Sequence, residues 1–223
     1  MKVMILAAGR GERLRPLTDA TPKPLIEVAG QTLLGRHLER LAGAGFAHVV
    51  INVSHLAQKI TAHFGDGAHF GLRIDWSREI EPLETAGGIA QARTLLGPGS
   101  FLLVNADIWC DFEFSRLRGF DIGKHLSHLV LVANPPQHPA GDFSIENGIV
   151  GNEPAPRYTY AGIAVISPLL VAGVAIGRKA QLAPLWRAAA ARGEVTGELF
   201  EGHWSDVGTA ERLSALQARL KTI

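Results

Sequence analysis

The sequence predicts an α/β fold with a mainly parallel central sheet, and three observations support this prediction. Apolar runs that suit buried strands occupy residues 3–7, 48–53 and 101–104. Segments with apolar residues at helical spacing lie between these runs, and 33–41 is the first of them. Gly43 ends that first helical segment. Strands that alternate with helices in this way form βαβ units, whose strands lie parallel.

The rest of the chain continues the alternation. Further helices are predicted at 56–64, 89–96, 182–191 and 209–220, and further strands at 72–76, 127–133, 158–166 and 195–200. Asn147 and Gly148 form the two-residue signal of a β-hairpin. Residues 151–156 are predicted to be a loop and not a domain linker, so we expect a single domain over residues 1–223.

The composition limits the classes of partner. The net charge is +1, so no overall field attracts nucleic acid or an anionic membrane. No segment approaches the roughly 20 consecutive apolar residues of a membrane span, and the apolar run at the start is too short for a secretory signal. The single cysteine, Cys110, excludes an internal disulfide. Together these features predict a cytoplasmic protein without a nucleic-acid or membrane partner.

A loop of small residues and positive charge follows the first strand. It consists of Ala8, Gly9, Arg10 and Gly11. Its glycines allow backbone N–H groups to point at a bound anion. Four cations lie within fourteen positions, namely Arg10, Arg13, Arg15 and Lys23. Because ligands of open α/β sheets bind beyond the carboxyl ends of the strands, this loop is a candidate site for a nucleoside triphosphate.

The loop matches neither of two better-known phosphate loops. Leu14 stands where the dinucleotide fingerprint needs its third glycine, and the P-loop sequence is absent. A tight strand-to-helix turn with solvated arginines is therefore the alternative interpretation. Pro22 and Pro24 stiffen the backbone on both sides of Lys23. This restraint of one lysine favours a phosphate site.

Three further segments carry candidate ligand-binding residues. Asp107 comes just after the buried run 101–104, where it can serve as a Mg²⁺ ligand or merely end a turn. Residues 84–88 open a helix, with Thr85 as a possible N-cap. Asp206 precedes the last helix, where a structural turn is the alternative to a metal ligand. No Cys/His metal cluster and no nucleophile elbow occurs in the sequence.

The first 25 residues resemble the signature of the sugar-nucleotide pyrophosphorylases, which transfer a nucleotidyl group to a sugar 1-phosphate. The matching segments are LAAGRGERL at 6–14, PLT at 16–18 and PKP at 22–24. Glu12 stands where many members carry Thr or Ser. The resemblance is strongest to the bacterial subgroup that uses N-acetylmuramate 1-phosphate in cell-wall recycling.

This resemblance implies a fold, a reaction and a set of site residues. The implied fold is a Rossmann-like three-layer α/β/α sandwich of the nucleotide-diphospho-sugar transferase type. The implied reaction transfers UMP from UTP to a sugar 1-phosphate and needs Mg²⁺ held by Asp107 and Asp206. Arg13 and Lys23 are the expected catalytic residues. Expected nucleotide-binding residues are Ala8, Gly9, Arg10, Gly11, Glu84, Thr85, Gly87 and Gly88, and expected sugar-phosphate-binding residues are Asn105, Asp142 and Gly162.

The sequence departs from the family pattern at two places. Ala106 replaces the usual glycine between Asn105 and Asp107. Many relatives carry a phosphate-binding lysine in a Glu-Lys-Pro segment, whereas residues 152–154 contain none. Lys179 or Arg178 is a candidate replacement.

Two alternative functions remain at this point. One is guanylyl or thymidylyl transfer to mannose or glucose 1-phosphate. The other is a non-catalytic sugar-nucleotide sensor, which predicts the loss of a charged site residue. The protein is expected to be a monomer or a small homo-oligomer.

Overall fold

The computed structural model describes residues 1–153 and 156–220, and its framework is one nine-stranded sheet. The strands are β1 (Val3–Leu6), β2 (Glu27–Val28), β3 (Gln31–Thr32), β4 (His48–Val53), β5 (Arg73–Arg78), β6 (Phe101–Asn105), β7 (Ile108–Cys110), β8 (Ser127–Val132), β9 (Phe143–Glu146), β10 (Ile149–Gly151), β11 (Arg157–Ile166), β12 (Val195–Leu199) and β13 (Trp204–Asp206). The helices are α1 (Leu17–Ala20), α2 (Leu33–Gly43), α3 (Ala57–Phe64), α4 (Glu84–Gln91), α5 (Arg93–Leu96), α6 (Leu182–Ala190) and α7 (Ala210–Leu220).

The sheet is mixed: its first four strands and the pair of β8 and β12 are parallel, as expected, whereas the other neighbouring strands are antiparallel. The strand order is β5-β4-β1-β6-β11-β8-β12-β10-β9. Strands β5, β4, β1 and β6 are parallel, as the βαβ pattern predicts. Strand β11 then runs antiparallel between β6 and β8, and the β9–β10 hairpin closes the far edge. Antiparallel neighbours need no crossover helix, so helical spacing in the sequence does not reveal them.

Helices cover both faces of the sheet and give three layers. Side chains of β1 alternate between two buried clusters, with Val3 and Ile5 on one face and Met4 on the other. The first cluster packs against α2 and α3, and the second packs against α4, α5 and α6. A strand that is buried on both sides has no polar alternation, which explains the continuous apolar run in the sequence.

Two elements differ from their predicted bounds. The helix predicted at 89–96 begins five residues earlier, at Glu84, and a break at Ala92 separates α4 from α5. Asn147 and Gly148 both have positive φ, which confirms the predicted hairpin turn. Within the predicted loop 151–156, residues 154 and 155 lie outside the described residues. In the described ranges, no helix is long and apolar enough to cross a membrane.

A two-stranded ribbon outside the main sheet joins distant parts of the chain. Strand β13 pairs antiparallel with β7, with Asp206 opposite Ile108. The Val207 N–H also donates to the carbonyl of Asp107 at 2.8 Å. The ribbon therefore holds the backbone of Asp206 beside that of Asp107.

Candidate active site

Two neighbouring cavities open at the carboxyl ends of the parallel strands. The larger has a volume of about 710 Å³ and the smaller about 370 Å³. Both are lined by Arg13, Asn105 and Asp107, so they meet at these three residues. In the sheet, Leu6 pairs with Asn52 on one side and with Asn105 on the other, which places polar side chains on both sides of the loop after β1.

The loop after β1 lines the larger cavity, as the sequence predicts. The residues involved are Ala8, Gly9, Arg10, Gly11 and Arg13. Gly11 has a φ of +67°, and an added Cβ would lie 2.8 Å from the Thr18 side chain. Thr18 in turn donates a hydrogen bond to the Gly11 carbonyl at 2.9 Å. At Gly9 an added Cβ would meet no protein atom within 4 Å, so that position faces open space.

Lys23 and Asp107 form an ion pair between the two cavities. The Nζ of Lys23 lies 2.7 Å from Oδ2 of Asp107, and the lysine side chain is only 12% exposed. Lys23 begins a single 3₁₀ turn, Lys23–Leu25, directly after Pro22. The prolines thus aim the lysine at the carboxylate, in agreement with the directional restraint inferred from the sequence.

Asp206 lines the smaller cavity, and both of its carboxylate oxygens accept hydrogen bonds. Arg212 of α7 donates to Oδ2, and Gln137 donates to Oδ1 at 3.0 Å. The ribbon of β7 and β13 places this carboxylate on the strand next to Asp107. The two candidate metal ligands, 99 positions apart in the sequence, are therefore brought to one site.

The donor set at Asp107 and Asp206 fits Mg²⁺ that is shared with substrate. Among the described residues, no group of three or more His, Cys, Asp or Glu side chains is arranged to hold a metal ion. Mg²⁺ is commonly bound by one or two carboxylates together with substrate phosphates, and it retains several waters. Two carboxylates beside a cavity with a loop rich in glycine and arginine match that pattern and do not form an all-protein cage.

Asn52 and Glu79 form a buried hydrogen-bonded floor at the larger cavity. Asn52 accepts from the Ala7 N–H at 2.8 Å and donates to Glu79 at 2.7 Å. The second oxygen of Glu79 accepts from the Leu83 N–H at 2.9 Å. Burial raises the pKa of Glu79, while these two hydrogen bonds favour its charged form. The network ties the ends of β1 and β4 to the start of α4.

Gly87 and Gly88 lie inside α4 and line neither cavity, in contrast to the expected contact with nucleotide. An added Cβ on Gly88 would lie 2.7 Å from Nδ2 of Asn52, and one on Gly87 would lie 2.4 Å from the Arg178 carbonyl. These glycines therefore allow α4 to pack closely on its neighbours. Glu84 and Thr85 at the start of the helix do line the larger cavity.

Thr85 does not cap the helix. Its Oγ1 accepts from the Leu182 N–H at 2.8 Å, and the residue that precedes α4 is Leu83. Thr85 thus connects the larger cavity to the start of α6.

Asp142 and Gly162, the expected sugar-phosphate-binding residues, both line the smaller cavity. Asp142 accepts from the Tyr160 N–H at 2.9 Å and lies 3.0 Å from a ring nitrogen of His138. Gly162 has a φ of +80°, and an added Cβ would lie 2.8 Å from Ile108. The pairing of β11 with β8 shifts register between Tyr160 and Ala164, at this glycine. The irregularity brings β11 close to the strand that follows Asp107.

A model of the nucleotidyl transferase family matches residues 2–148. The chain belongs to the nucleotidyl transferase family. Over nearly its whole length it is similar to two N-acetylmuramate alpha-1-phosphate uridylyltransferases. The one from Neisseria meningitidis serogroup B is 46% identical, with 98% of this chain and 97% of the relative covered. The one from Caulobacter vibrioides is 36% identical, with 97% and 96% covered.

A solved structure has the same fold. It is a Bacillus anthracis protein, provisionally named glucose-1-phosphate thymidylyltransferase, in complex with sucrose. The TM-score is 0.88 at 19% identity, and the match covers 100% of this chain and 96% of that chain. At this identity the likeness concerns the fold alone.

Sequence patterns alone did not identify several residues that line the cavities. Asn52 is a polar residue near the end of a buried strand, so the strand-end rule that selected Asp107 could also have selected Asn52. Gln137 and Arg212 carry no such signal, because only the tertiary fold brings them to Asp206. Of the candidate replacements for the missing lysine, Lys179 lines the larger cavity and Arg178 is absent from both linings.

Proposed function

We propose that the protein transfers UMP from UTP to N-acetylmuramate 1-phosphate in the cytoplasm, which yields UDP-N-acetylmuramate and pyrophosphate. The observation that carries this proposal is the pair of cavities that meet at Arg13, Asn105 and Asp107. Two substrates bound in these cavities have their reacting ends at the junction. The relatives that are similar over nearly the whole chain supply the choice of UTP and of the sugar.

In the larger cavity, the loop after β1 would hold the triphosphate. Backbone groups of residues 8–11 cradle the phosphates, and Arg13 binds the β- and γ-phosphates and then the departing pyrophosphate. Lys23 stabilises the negative charge that develops around the α-phosphorus. Glu84 and Thr85 lie on the base and ribose side of the cavity.

In the smaller cavity, Asn105, Asp142 and Gly162 would hold the sugar. The phosphate oxygen of the sugar 1-phosphate attacks the α-phosphorus, and the bond to the β-phosphate oxygen breaks. The attacking oxygen is already ionised, so the reaction needs no general base. The residues contribute by positioning two anions that repel each other and by neutralising their charge.

Asp107 and Asp206 are the residues that would hold Mg²⁺. When bound, the ion would neutralise phosphate charge and help to orient the substrates. The ribbon of β7 and β13 holds the backbones of these two residues beside each other.

The test is pyrophosphate release from each of UTP, GTP, dTTP, CTP and ATP against a panel of sugar 1-phosphates. We expect turnover to be highest with UTP and N-acetylmuramate 1-phosphate. If turnover is instead highest for GTP with mannose 1-phosphate, or for dTTP with glucose 1-phosphate, the protein is a guanylyl- or thymidylyltransferase and the proposed function is wrong. Binding of sugar nucleotides without any pyrophosphate release would instead indicate a sensor. Against the sensor, Arg13, Lys23, Asp107 and Asp206 are all present.

A further inference from the structure

The smaller cavity contains two permanent cations. Among the described residues, Arg13 and Arg212 are the only arginine or lysine side chains that line it. Arg13 also lines the larger cavity, where the triphosphate needs it. Lys179 belongs to the larger cavity and pairs with Glu81 at 3.4 Å. Arg212 is therefore the cation that serves the smaller cavity alone.

Arg212 is held beside the proposed metal ligand by local geometry. It lies in the first turn of α7, and its guanidinium donates to Oδ2 of Asp206. Its side chain is 19% exposed. An added Cβ on Gly208 would lie 2.3 Å from the guanidinium, so a glycine at this position leaves room for the arginine to fold back over Asp206.

The two carboxylates proposed as metal ligands are each paired with a protein cation. Lys23 pairs with Asp107 and Arg212 pairs with Asp206. When both carboxylates ligate a divalent cation, that cation neutralises their charge in place of Lys23 and Arg212. The two side chains then become available to bind substrate phosphates. Lys23 is then available on the triphosphate side, and Arg212 on the sugar side. A phosphate monoester carries about −1.5 to −2 charges at pH 7, and the guanidinium fork matches its oxygens in a bidentate manner.

We propose that Arg212 exchanges Asp206 for the phosphate of the sugar 1-phosphate and anchors that phosphate for attack. Its position next to a metal ligand selects the phosphate over other parts of the sugar, because the attacking oxygen must approach the same ion. This role rests on the proposed function, since it requires a sugar 1-phosphate in the smaller cavity.

The test measures sugar-phosphate binding without turnover. The enzyme is saturated with Mg²⁺ and a UTP analogue that has a methylene bridge between the α- and β-phosphorus, and N-acetylmuramate 1-phosphate is titrated in by calorimetry. Arg212→Gln should raise the Kd for the sugar phosphate by about 10–100-fold, as expected for loss of charge-assisted hydrogen bonds. The Kd for the UTP analogue should be unchanged, and Arg212→Lys should restore part of the affinity.

A second probe separates the phosphate from the rest of the sugar. N-acetylglucosamine 1-phosphate lacks the lactyl carboxylate. Its Kd should rise in Arg212→Gln by the same factor as the Kd of N-acetylmuramate 1-phosphate. A loss confined to N-acetylmuramate 1-phosphate would assign Arg212 to the carboxylate and overturn the proposal. A Mg²⁺ affinity that falls in parallel with sugar binding would overturn it too, because Arg212 would then only position Asp206.

The matched control is Arg116→Gln. This change also removes an arginine from a carboxylate pair, with Glu198, but Arg116 lines neither cavity. It should bind both ligands as the wild type does. If Arg212→Gln also binds like the wild type, this inference alone fails. If the wild type binds neither sugar 1-phosphate, the proposed function fails and the role of Arg212 with it.

Discussion

The carboxylate of Asp107, at the junction of the two cavities, is central to the reaction that we propose. Asp107 pairs with Lys23 and touches both cavities, so its charge acts on both substrates. Replacement by the isosteric amide removes that charge and preserves the shape of the side chain. At this scale the structure predicts a large effect on turnover with little effect on stability.

We expect Asp107→Asn to lower kcat by about 10²–10³-fold or more, the order of magnitude seen when one electrostatic contact to a transition state is lost. Pyrophosphate release measures the change, and thermal unfolding checks that the fold is intact. Asp121→Asn, which lines neither cavity, is the control. Near-normal turnover of Asp107→Asn would remove Asp107 from the metal site.

A second residue-scale prediction concerns acid stability. Burial lowers the pKa of His37 to about 4 from its ordinary 6.5. Between these two values the unfolded chain binds a proton that the folded protein excludes, so stability falls as the pH drops from 6.5 towards 4. The loss amounts to roughly 3 kcal/mol for a shift of this size.

His37→Leu should therefore lose less stability than the wild type between pH 7 and pH 4. The free energy of unfolding from urea titrations at several pH values measures this difference. His63, which is exposed, serves as the control in His63→Leu. A pH dependence of His37→Leu equal to that of the wild type would contradict the buried neutral state of His37.

At the scale of elements, the packing of α4 on the strand ends fixes the floor of the larger cavity. An added Cβ on Gly88 would lie 2.7 Å from Asn52 and 2.8 Å from Glu79, so one of these side chains must move. We expect Gly88→Ala to destabilise the protein by about 1–3 kcal/mol, the usual cost of overpacking, and to raise KM for UTP. Urea unfolding and initial rates provide the two measurements.

Gly43→Ala is the matched control for this change. Gly43 is also helical, and an added Cβ there would meet nothing within 4 Å. This variant should be as stable as the wild type or more stable by up to about 1 kcal/mol, since alanine favours helix. If the two variants behave alike, close packing is not the reason for glycine at position 88.

Elements specified by local pattern were predictable, and those specified by distant partners were not. Strand β4 was predicted with its observed bounds, because its six residues form an uninterrupted apolar-rich run. The helix α2 was predicted to within two residues. The strands β7 and β13 have three residues each, and each is a strand only because the other lies beside it. Single-sequence patterns contain no information on such a pairing.

The same contrast between local patterns and distant contacts applies to the residues of the candidate site. Residues on the loop after β1 and at the end of β6 followed from their place beyond buried strands. Gly87 and Gly88 were expected to contact nucleotide, but they line neither cavity. The atoms that crowd them belong to residues far away in the sequence, such as Asn52 and Arg178, so local patterns do not reveal this close packing. Arg212 was missed for the same reason, since its contact with Asp206 depends on how α7 leaves the ribbon.

For the whole molecule, the division into two cavities predicts separate footprints for the two substrates. The UTP analogue should slow amide exchange at residues 8–11 and 82–85, which border the larger cavity and not the smaller one. Addition of the sugar 1-phosphate should extend protection to 135–142 and 206–212, around the smaller cavity. Hydrogen–deuterium exchange with mass spectrometry measures both. Protection of the first two segments by the sugar phosphate alone would contradict this division.

The ribbon of β7 and β13 also has a consequence for synthesis of the protein. Asp107 directly precedes β7 and Asp206 ends β13, 99 residues later, and among the described strands β13 pairs with β7 alone. At about 5–20 residues per second, a ribosome needs roughly 5–20 s to translate the interval between them. The growing polypeptide can therefore form its first parallel strands and bury much of its apolar surface before Asp206 has been synthesised. The proposed metal site is therefore completed late, after most of the sheet has been synthesised.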